Sequence, residues 1–407
     1  MSTDAEGGSK LGVDTQAILL LTAALGKGPS PVSPLTAAEY SSFAATLHEV
    51  GKRPGDLLKP GSADLLAGIL PRLDQKETAK IDAQRVNHLL ERGGRLALAM
   101  SRWSSAGVWV AGRADAAYPS RYKQKLGRSA PAIVYGVGPR AAIEAGGLAI
   151  VGSREPDAQS EASAVAAGAW AAGAGVQVVS GAARGVDEMA MLACTERTGS
   201  ALGVVADSLL KLATRRNFRE QIIAERMTLI SSFDPEAGFR VWMAMLRNRW
   251  IYALADRALV ISASHGTGGT WEGAVGALKA GVRVYVTIGD PVIPGNQALV
   301  AKGAIPAPSD LNDLWRDESP SAGDVSATRI SVEEPRGKAD TYAAALPVML
   351  DALKLPMTAK RFAEVTGLTE AQAEAWLSRL VTEGHVQRAN ALYQALEDRT
   401  PQLSLLP

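Results

Sequence analysis

The sequence predicts an α/β fold: a Rossmann-like parallel sheet with helices on both faces. In the central part of the chain, short β-rich runs such as LAIVG and VQVVSG alternate with alanine-rich helical runs. This strand–helix–strand order is typical of parallel strands covered by helices. Apolar residues at helical spacing precede this part, and a helix–turn–helix pattern with a hairpin-like segment follows it. We therefore also expect an N-terminal helical domain and a C-terminal winged helix.

Changes in composition set the expected domain boundaries. The segment RDESPSAGDVSATRISVEEPRGK is polar without periodicity, which indicates a linker. We expect a disordered tail at residues 1–13, a helical domain at 14–103 and the Rossmann-like domain at 104–315. The linker at 316–340, the winged helix at 341–397 and a second tail at 398–407 follow.

Composition excludes several classes of function. Lys and Arg total 43 and Asp and Glu total 42, so the net charge is +1 and any contact with nucleic acid must come from a local cluster of charges. One cysteine and four histidines, without paired spacing, predict no disulfide framework, no metal site and no cofactor. No signal peptide or membrane-spanning stretch is apparent, so we expect a cytoplasmic protein that does not contact the membrane.

Glycine-rich turns follow several predicted strands. They occupy residues 152–154, 181–187, 265–273 and 295–304. Ligands of open parallel sheets bind at the carboxyl ends of the strands, and backbone amides at a helix start favour anions. A single turn of this kind is common, but several at one edge predict a phosphate-binding site. We interpret Asp187, near a predicted helix start, as a helix cap rather than a ligand contact.

Two groups of arginines leave alternatives open. Arg247 and Arg249 flank Asn248 in an apolar helix, where a phosphate, an internal acidic residue or a solvated helix face would each account for the charge. Arg215 and Arg216 lie in TRRNFR, which predicts either a local positive patch or a solvated helix face.

Large apolar side chains adjoin Arg247 and Arg249. Trp242, Met243, Met245 and Trp250 recur at helical spacing, which is typical of a buried face. We interpret them as core or dimer-contact residues, and not as a platform on which bases stack.

The order of these motifs resembles the DprA/Smf family of DNA-processing proteins. VGSR, SGAARGVD, RNR, a Gly-Thr helix start and GNQALVAKGA occur in the family's order, and the resemblance spans roughly residues 103–306. The N-terminal helices (SAM-like or helix-hairpin-helix-like) and the winged helix resemble the family's accessory domains. The resemblance implies a homodimer without catalytic activity that binds and protects single-stranded DNA and loads RecA recombinase in natural transformation. The implied contact residues are Gly152, Ser153, Arg154, Gly181, Arg184, Gly185, Arg247, Arg249, Gly269 and Thr270, with Arg215 and Arg216 as candidate replacements for lost contacts.

The chain departs from the family pattern in the Gly-Thr loop. Extra residues precede the loop, and Glu272 stands where the family has an apolar residue. This imperfectly resembles the loop of LOG phosphoribohydrolases, so the alternative is a nucleotide-binding or nucleotide-hydrolysing domain that uses Glu272. A duplex-DNA regulator is a third hypothesis. The predicted recognition helix, TEAQAEAWLSRLVTEG, has more acidic than basic residues, which favours a protein partner.

Overall fold

A computed structural model of the chain describes residues 11–26, 32–73, 81–289, 292–316, 349–350, 353, 356–366, 370–389 and 392–395. These residues divide into two compact units, one with the N-terminal helices and a large sheet and one with the C-terminal elements. The predicted linker, apart from residue 316, and the predicted tail at 398–407 lie outside the described residues, as does most of the predicted tail at 1–13.

A nine-stranded sheet forms the centre of the first unit, within the described residues. Its strands are β1 (Trp109–Gly112), β2 (Ile133–Val137), β3 (Leu148–Val151), β4 (Val178–Ser180), β5 (Ala201–Val204), β6 (Met227–Ser231), β7 (Arg257–Val260), β8 (Arg283–Val286) and β9 (Ile305–Pro306). Their order is β1-β2-β6-β5-β4-β3-β7-β8-β9. Every neighbouring pair from β6 to β9 in this order is parallel, whereas β2 runs antiparallel to both β6 and β1. The predicted parallel sheet is confirmed, with an antiparallel edge that the sequence pattern did not predict.

Helices connect the strands and cover both faces of the sheet. The N-terminal helices are α1 (Val13–Thr22), α2 (Ala37–Glu49), α3 (Ser62–Ile69), α4 (Ala83–Leu90) and α5 (Gly93–Ser105). Those between and after the strands are α6 (Ser120–Leu126), α7 (Ala158–Gly173), α8 (Val186–Thr195), α9 (Leu209–Ala213), α10 (Arg216–Ile223), α11 (Val241–Leu254), α12 (Gly268–Lys279), α13 (Pro294–Val300) and α14 (Asp313–Arg316).

The strands are buried on both faces because their side chains alternate between two cores. Leu148 and Ile150 of β3 pack in one core with α7 and α8, while Ala149 and Val151 pack in the other with α11 and α12. This alternation follows from the two-residue period of a strand, and continuous burial is typical of parallel strands between helical layers.

The N-terminal helices share the first of these cores with the sheet. Phe43 and Trp103 are fully buried in the cluster that also contains Val137 and Ile150. A capping box at Thr36 and Glu39 fixes the start of α2. The boundary predicted at residues 103–104 therefore falls within one compact unit and not between two.

The chain reverses direction across the sheet at β3. From β3 it continues through β4, β5 and β6 on one side, and then returns to β7, β8 and β9 on the other. The carboxyl ends of β3 and β7 therefore flank the topological switch point, where an open α/β sheet leaves a crevice for a ligand.

The C-terminal unit combines two described helices with a small antiparallel sheet. Its elements are β10 (Met357–Thr358), α15 (Ala359–Thr366), α16 (Glu370–Thr382), β11 (Val386–Ala389) and β12 (Leu392–Ala395), with strand order β10-β12-β11. Phe362, Leu377 and Leu380 are buried in its core. Most of the predicted first helix, residues 343–354, lies outside the described residues, so the winged helix stays a prediction.

Candidate nucleic-acid interface

Three loops meet at the carboxyl edge of the sheet. They follow β3, β4 and β7, at residues 152–154, 181–187 and 261–270, and together we call them the carboxyl rim. The Val186 amide donates to the Ser153 carbonyl oxygen at 3.1 Å, and the Thr270 hydroxyl donates to the Gly152 carbonyl oxygen at 2.9 Å. The Ser153 amide donates to Ser262 Oγ at 3.2 Å. The turns singled out after these three strands thus come together as one surface.

Two glycines are required for this close approach. Gly185 has a φ of +90°, and a Cβ there would overlap the Ser153 carbonyl oxygen and the backbone of Arg154. A Cβ at Gly152 would lie 2.7 Å from a methyl group of Val186. The β3 and β4 loops can therefore touch only when both positions lack a side chain.

Two exposed arginines project from the touching loops. Arg154 and Arg184 make no hydrogen bond or ion pair with any residue that the structure describes. The guanidinium of Arg154 lies 5.1 Å from the ring centroid of Phe239, which is 45% exposed. Sequence reasoning missed Phe239, because a single aromatic residue in a polar loop carries no periodic signal. The rim therefore presents two positive charges that form no ion pair with a described residue, although Glu155 adjoins Arg154 and the buried Asp187 carboxylate interacts electrostatically with it.

The first turn of α12 completes the rim. Residues 264–269 are exposed, and the N-cap residue Thr267 provides no side-chain hydrogen bond to the helix. Amides of an uncapped first turn, together with the helix dipole, favour an anion. Asn248 Nδ2 donates to the Gly269 carbonyl oxygen at 2.8 Å and fixes this turn against α11. Glu272 is exposed on α12 and makes no ion pair with a described residue.

A buried ion pair lies beneath the rim. Asp187 Oδ2 accepts a hydrogen bond from the Gly181 amide at 3.1 Å and lies 3.9 Å from Arg247 Nη1. Asp187 is 7% exposed and Arg247 is 4% exposed. A Cβ at Gly181 would overlap the Arg247 guanidinium, so this glycine makes room for the pair. The sequence left a phosphate, an internal acidic residue or a solvated helix face open for Arg247, and the structure shows an internal acidic residue, Asp187.

The interpretation of Asp187 as a helix cap is wrong. Gly185 is the N-cap of α8 and no side chain caps this helix, while the Asp187 carboxylate points to Gly181 and Arg247 instead. Desolvation by burial raises the pKa of Asp187, although Arg247 and the amides of Gly152 and Gly181 act to lower it. Burial likewise lowers the pKa of Arg247.

The remaining predicted arginines have different surroundings. Arg215 pairs with Glu188 at 2.6 Å, and Glu188 belongs to the first turn of α8 next to the rim. Arg216 is exposed at the start of α10 and pairs with Glu220 at 3.0 Å, as on a solvated helix face. Arg249 is exposed and lies two positions from buried Arg247 on α11, so the two side chains leave the helix on different faces.

The GNQALV segment supports the rim without forming part of it. Asn296 is 1% exposed; its side chain accepts from the Ala263 amide at 3.0 Å and donates to the Ile261 carbonyl oxygen at 2.9 Å. It also donates to the Thr287 carbonyl oxygen at 3.0 Å. Asn296 thus joins the loop after β7 to the end of β8.

The core interpretation of the tryptophan and methionine run is confirmed for Met243 and Trp250, which are buried. Trp242 is 50% exposed and does not belong to the core, so for this residue the dimer-contact half of the interpretation stays a prediction. Trp242 lies on an exposed face of α11 next to buried Met243, which the apolar composition alone did not indicate.

Among the described helices, none has both the length and the apolar character needed to cross a membrane. Within the part of the chain that the structure describes, His, Cys, Asp and Glu side chains form no cluster of three or more that could hold a metal ion.

The fold and the rim define a Rossmann-like protein whose edge at the switch point exposes arginines and backbone amides that are suited to an anion. The family model described as DNA recombination-mediator protein A matches residues 109–317, just over half of the chain. This chain belongs to the DNA recombination-mediator protein A family, also called DprA, and the resemblance drawn from its motifs is confirmed.

A curated relative supports the family assignment. The DNA processing protein DprA of Bacillus subtilis is 28% identical over 179 residues, which cover 43% of this chain and 60% of the relative. The match thus spans about three fifths of that relative's length.

The comparison with solved structures supports the fold through one of them. The X-ray structure of DNA processing protein A from Streptococcus pneumoniae aligns with a TM-score of 0.54 and 18% identity, over 70% of this chain and 94% of that one. A structure described as showing the single-stranded DNA binding mode of DNA processing protein A from Helicobacter pylori aligns with a TM-score of 0.43 and 21% identity, over 51% of this chain and 93% of that one.

Proposed function

We propose that this chain binds single-stranded DNA across the carboxyl rim, protects the strand and loads RecA recombinase onto it during natural transformation. The observation that carries the proposal is the pair Arg154 and Arg184, which are exposed on touching loops and form no ion pair with a described residue. A nucleic-acid strand supplies regularly spaced negative charges that suit such a pair. Membership of a DNA recombination-mediator family supports the same function.

The rim residues divide into direct contacts and supports. We assign direct phosphate contacts to Arg154, Arg184 and the first-turn amides of Gly269 and Thr270, because the two arginines and Gly269 are exposed and Thr270 is half-buried next to Gly269. A second set shapes the loops from below or within, and its members are Gly152, Ser153, Gly181, Gly185 and Arg247. Arg215, Arg216 and Arg249 would add charge around this surface without being required for it.

The proposed role is binding without catalysis and without a cofactor. Asp187, the carboxylate beneath the rim, is committed to Gly181 and Arg247, and Glu272 is exposed. The proposal includes a homodimer that acts in the cytoplasm, as the family resemblance and the sequence predict.

A titration with fluorescently labelled oligothymidylate at two salt concentrations tests the proposal. Arg154→Ala and Arg184→Ala should each weaken binding and reduce the salt dependence by about 0.7 in log–log slope, the value expected for one phosphate contact on a single strand. Arg197→Ala is the matched control, because Arg197 is exposed just beyond the opposite end of α8 from Arg184. Absence of strand binding, or equal affinity of the double variant and the control, would contradict the proposal.

A further inference from the structure

The carboxylate of Asp187 lies where a Rossmann-like sheet can bind an anion. The residue belongs to the first turn of α8, immediately beyond the carboxyl end of β4. It accepts the Gly181 amide at 3.1 Å, and the Gly152 amide beyond the end of β3 also stabilises its charge. Amides that follow adjacent parallel strands and open a helix are those that such folds offer to a phosphate. In this protein the Asp187 carboxylate accepts hydrogen bonds from these amides instead.

The Asp187 carboxylate does not satisfy all the hydrogen-bond donors of Arg247. Arg247 is 4% exposed, and its Nε and Nη1 atoms have no hydrogen-bond partner among the described residues. The contact with Asp187 is 3.9 Å, too long for a hydrogen bond. Buried donors without partners are costly, and a guanidinium is well matched to the several oxygens of a phosphate. The position thus combines amides and a cation that fit a phosphate better than the carboxylate now present.

We propose that Asp187 is a specificity determinant: the negative charge of its carboxylate prevents free phosphate groups from binding to the Gly181 amide and Arg247. Small phosphorylated molecules, such as nucleoside monophosphates, are thereby excluded, whereas a DNA strand uses the exposed arginines above. The part of the inference that concerns the strand rests on the proposed function. Sterically and electrostatically, a phosphate oxygen cannot share the Gly181 amide with an ionised carboxylate.

Removal of the carboxylate should create a phosphate site. In Asp187→Ala, the Gly181 amide loses its acceptor and Arg247 keeps a buried charge without a counterion, which is strongly unfavourable unless an anion enters. We expect Asp187→Ala to bind inorganic phosphate and thymidine monophosphate at least about tenfold more tightly than the unaltered chain. The double variant Asp187→Ala/Arg247→Met lacks the cation and should lose this gain.

Isothermal titration with inorganic phosphate and with thymidine monophosphate measures the effect. Asp207→Ala is the control, because Asp207 follows β5 at the same edge and its carboxylate accepts only the Ser208 amide among the described residues. Phosphate binding by Asp187→Ala that requires Arg247 supports the inference. Equal phosphate affinity of Asp187→Ala and the unaltered chain, or a gain that persists in the double variant, overturns it.

A folding measurement keeps the inference testable if Asp187→Ala is unstable. Its circular dichroism spectrum would then be compared in phosphate and in chloride at equal ionic strength. Recovery of the fold in phosphate alone supports the inference, and an unfolded chain in both salts overturns it. Binding of oligothymidylate by the unaltered chain is measured as well, so that the two proposals can fail independently. Absence of this binding contradicts the proposed function, whereas the phosphate titrations decide the role of Asp187.

Discussion

Replacement of Arg247 by methionine tests the buried pair beneath the rim. Methionine retains much of the length of the side chain but removes its charge, so Asp187, which is 7% exposed, would lose the cation beside it. Removal of one partner of a buried ion pair costs about 3–5 kcal/mol. Since domains are stable by only about 5–15 kcal/mol, we expect a large loss in the free energy of unfolding.

The loss in Arg247→Met should depend on pH in a defined direction. Burial raises the pKa of Asp187 and Arg247 acts to lower it, so the substitution raises this pKa further. A carboxyl whose pKa is higher in the folded than in the unfolded chain destabilises the fold as pH rises through the interval between the two values. The deficit is therefore largest at neutral pH and shrinks as pH falls toward the ordinary range of carboxyl groups.

Urea unfolding at about pH 8 and about pH 5 measures this deficit. Arg249→Met is the matched control, because Arg249 is exposed on the same helix. The neutral double variant Asp187→Asn/Arg247→Met should recover much of the lost stability, since it leaves no unpaired charge. A deficit below about 1 kcal/mol, or one of equal size at both pH values, would refute this account of the pair.

Three further predictions concern the loops and the alternative function. Gly185→Ala should destabilise the fold by about 2–4 kcal/mol, because it combines a left-handed backbone with overlap against Ser153; an unchanged urea midpoint would contradict the close contact of the two loops. Asn296→Ala should cost about 2–4 kcal/mol, since it leaves the buried Ala263 amide and two carbonyl oxygens without their partner, and a loss below about 1 kcal/mol would argue against this. Incubation with nucleoside monophosphates should release no free base from either the unaltered chain or Glu272→Ala; release that Glu272→Ala abolishes would favour the nucleotide-hydrolysing alternative.

The parallel sheet and its loops were predictable because their signals are local. The two-residue period of β3 and the alanine-rich pattern of α7 lie within short segments of the chain. Glycine-rich turns after successive strands must also meet at one edge once the strands are parallel. The order of the motifs therefore indicated the carboxyl rim.

The buried pair was not predictable because its members are far apart in sequence. Asp187 near a helix start is compatible with a local cap, and only the packing of α11 against the β4 loop brings Arg247 to it. The antiparallel edge strands have a similar explanation, since β1 and β2 are apolar runs whose direction depends on their partners. Trp242 is exposed although its neighbours Met243 and Ala244 are buried, because it lies on another face of α11, and the apolar composition does not reveal which face each residue takes.

A structure of the protein with a short oligothymidylate tests the central claim most directly. The account predicts successive phosphates within hydrogen-bond distance of the Arg154 and Arg184 guanidinium groups, with the strand passing the first turn of α12. It also predicts that Asp187 still accepts the Gly181 amide beneath the strand. A strand bound at the amino edge of the sheet near Arg197, or on the C-terminal unit with the carboxyl rim unoccupied, would contradict it.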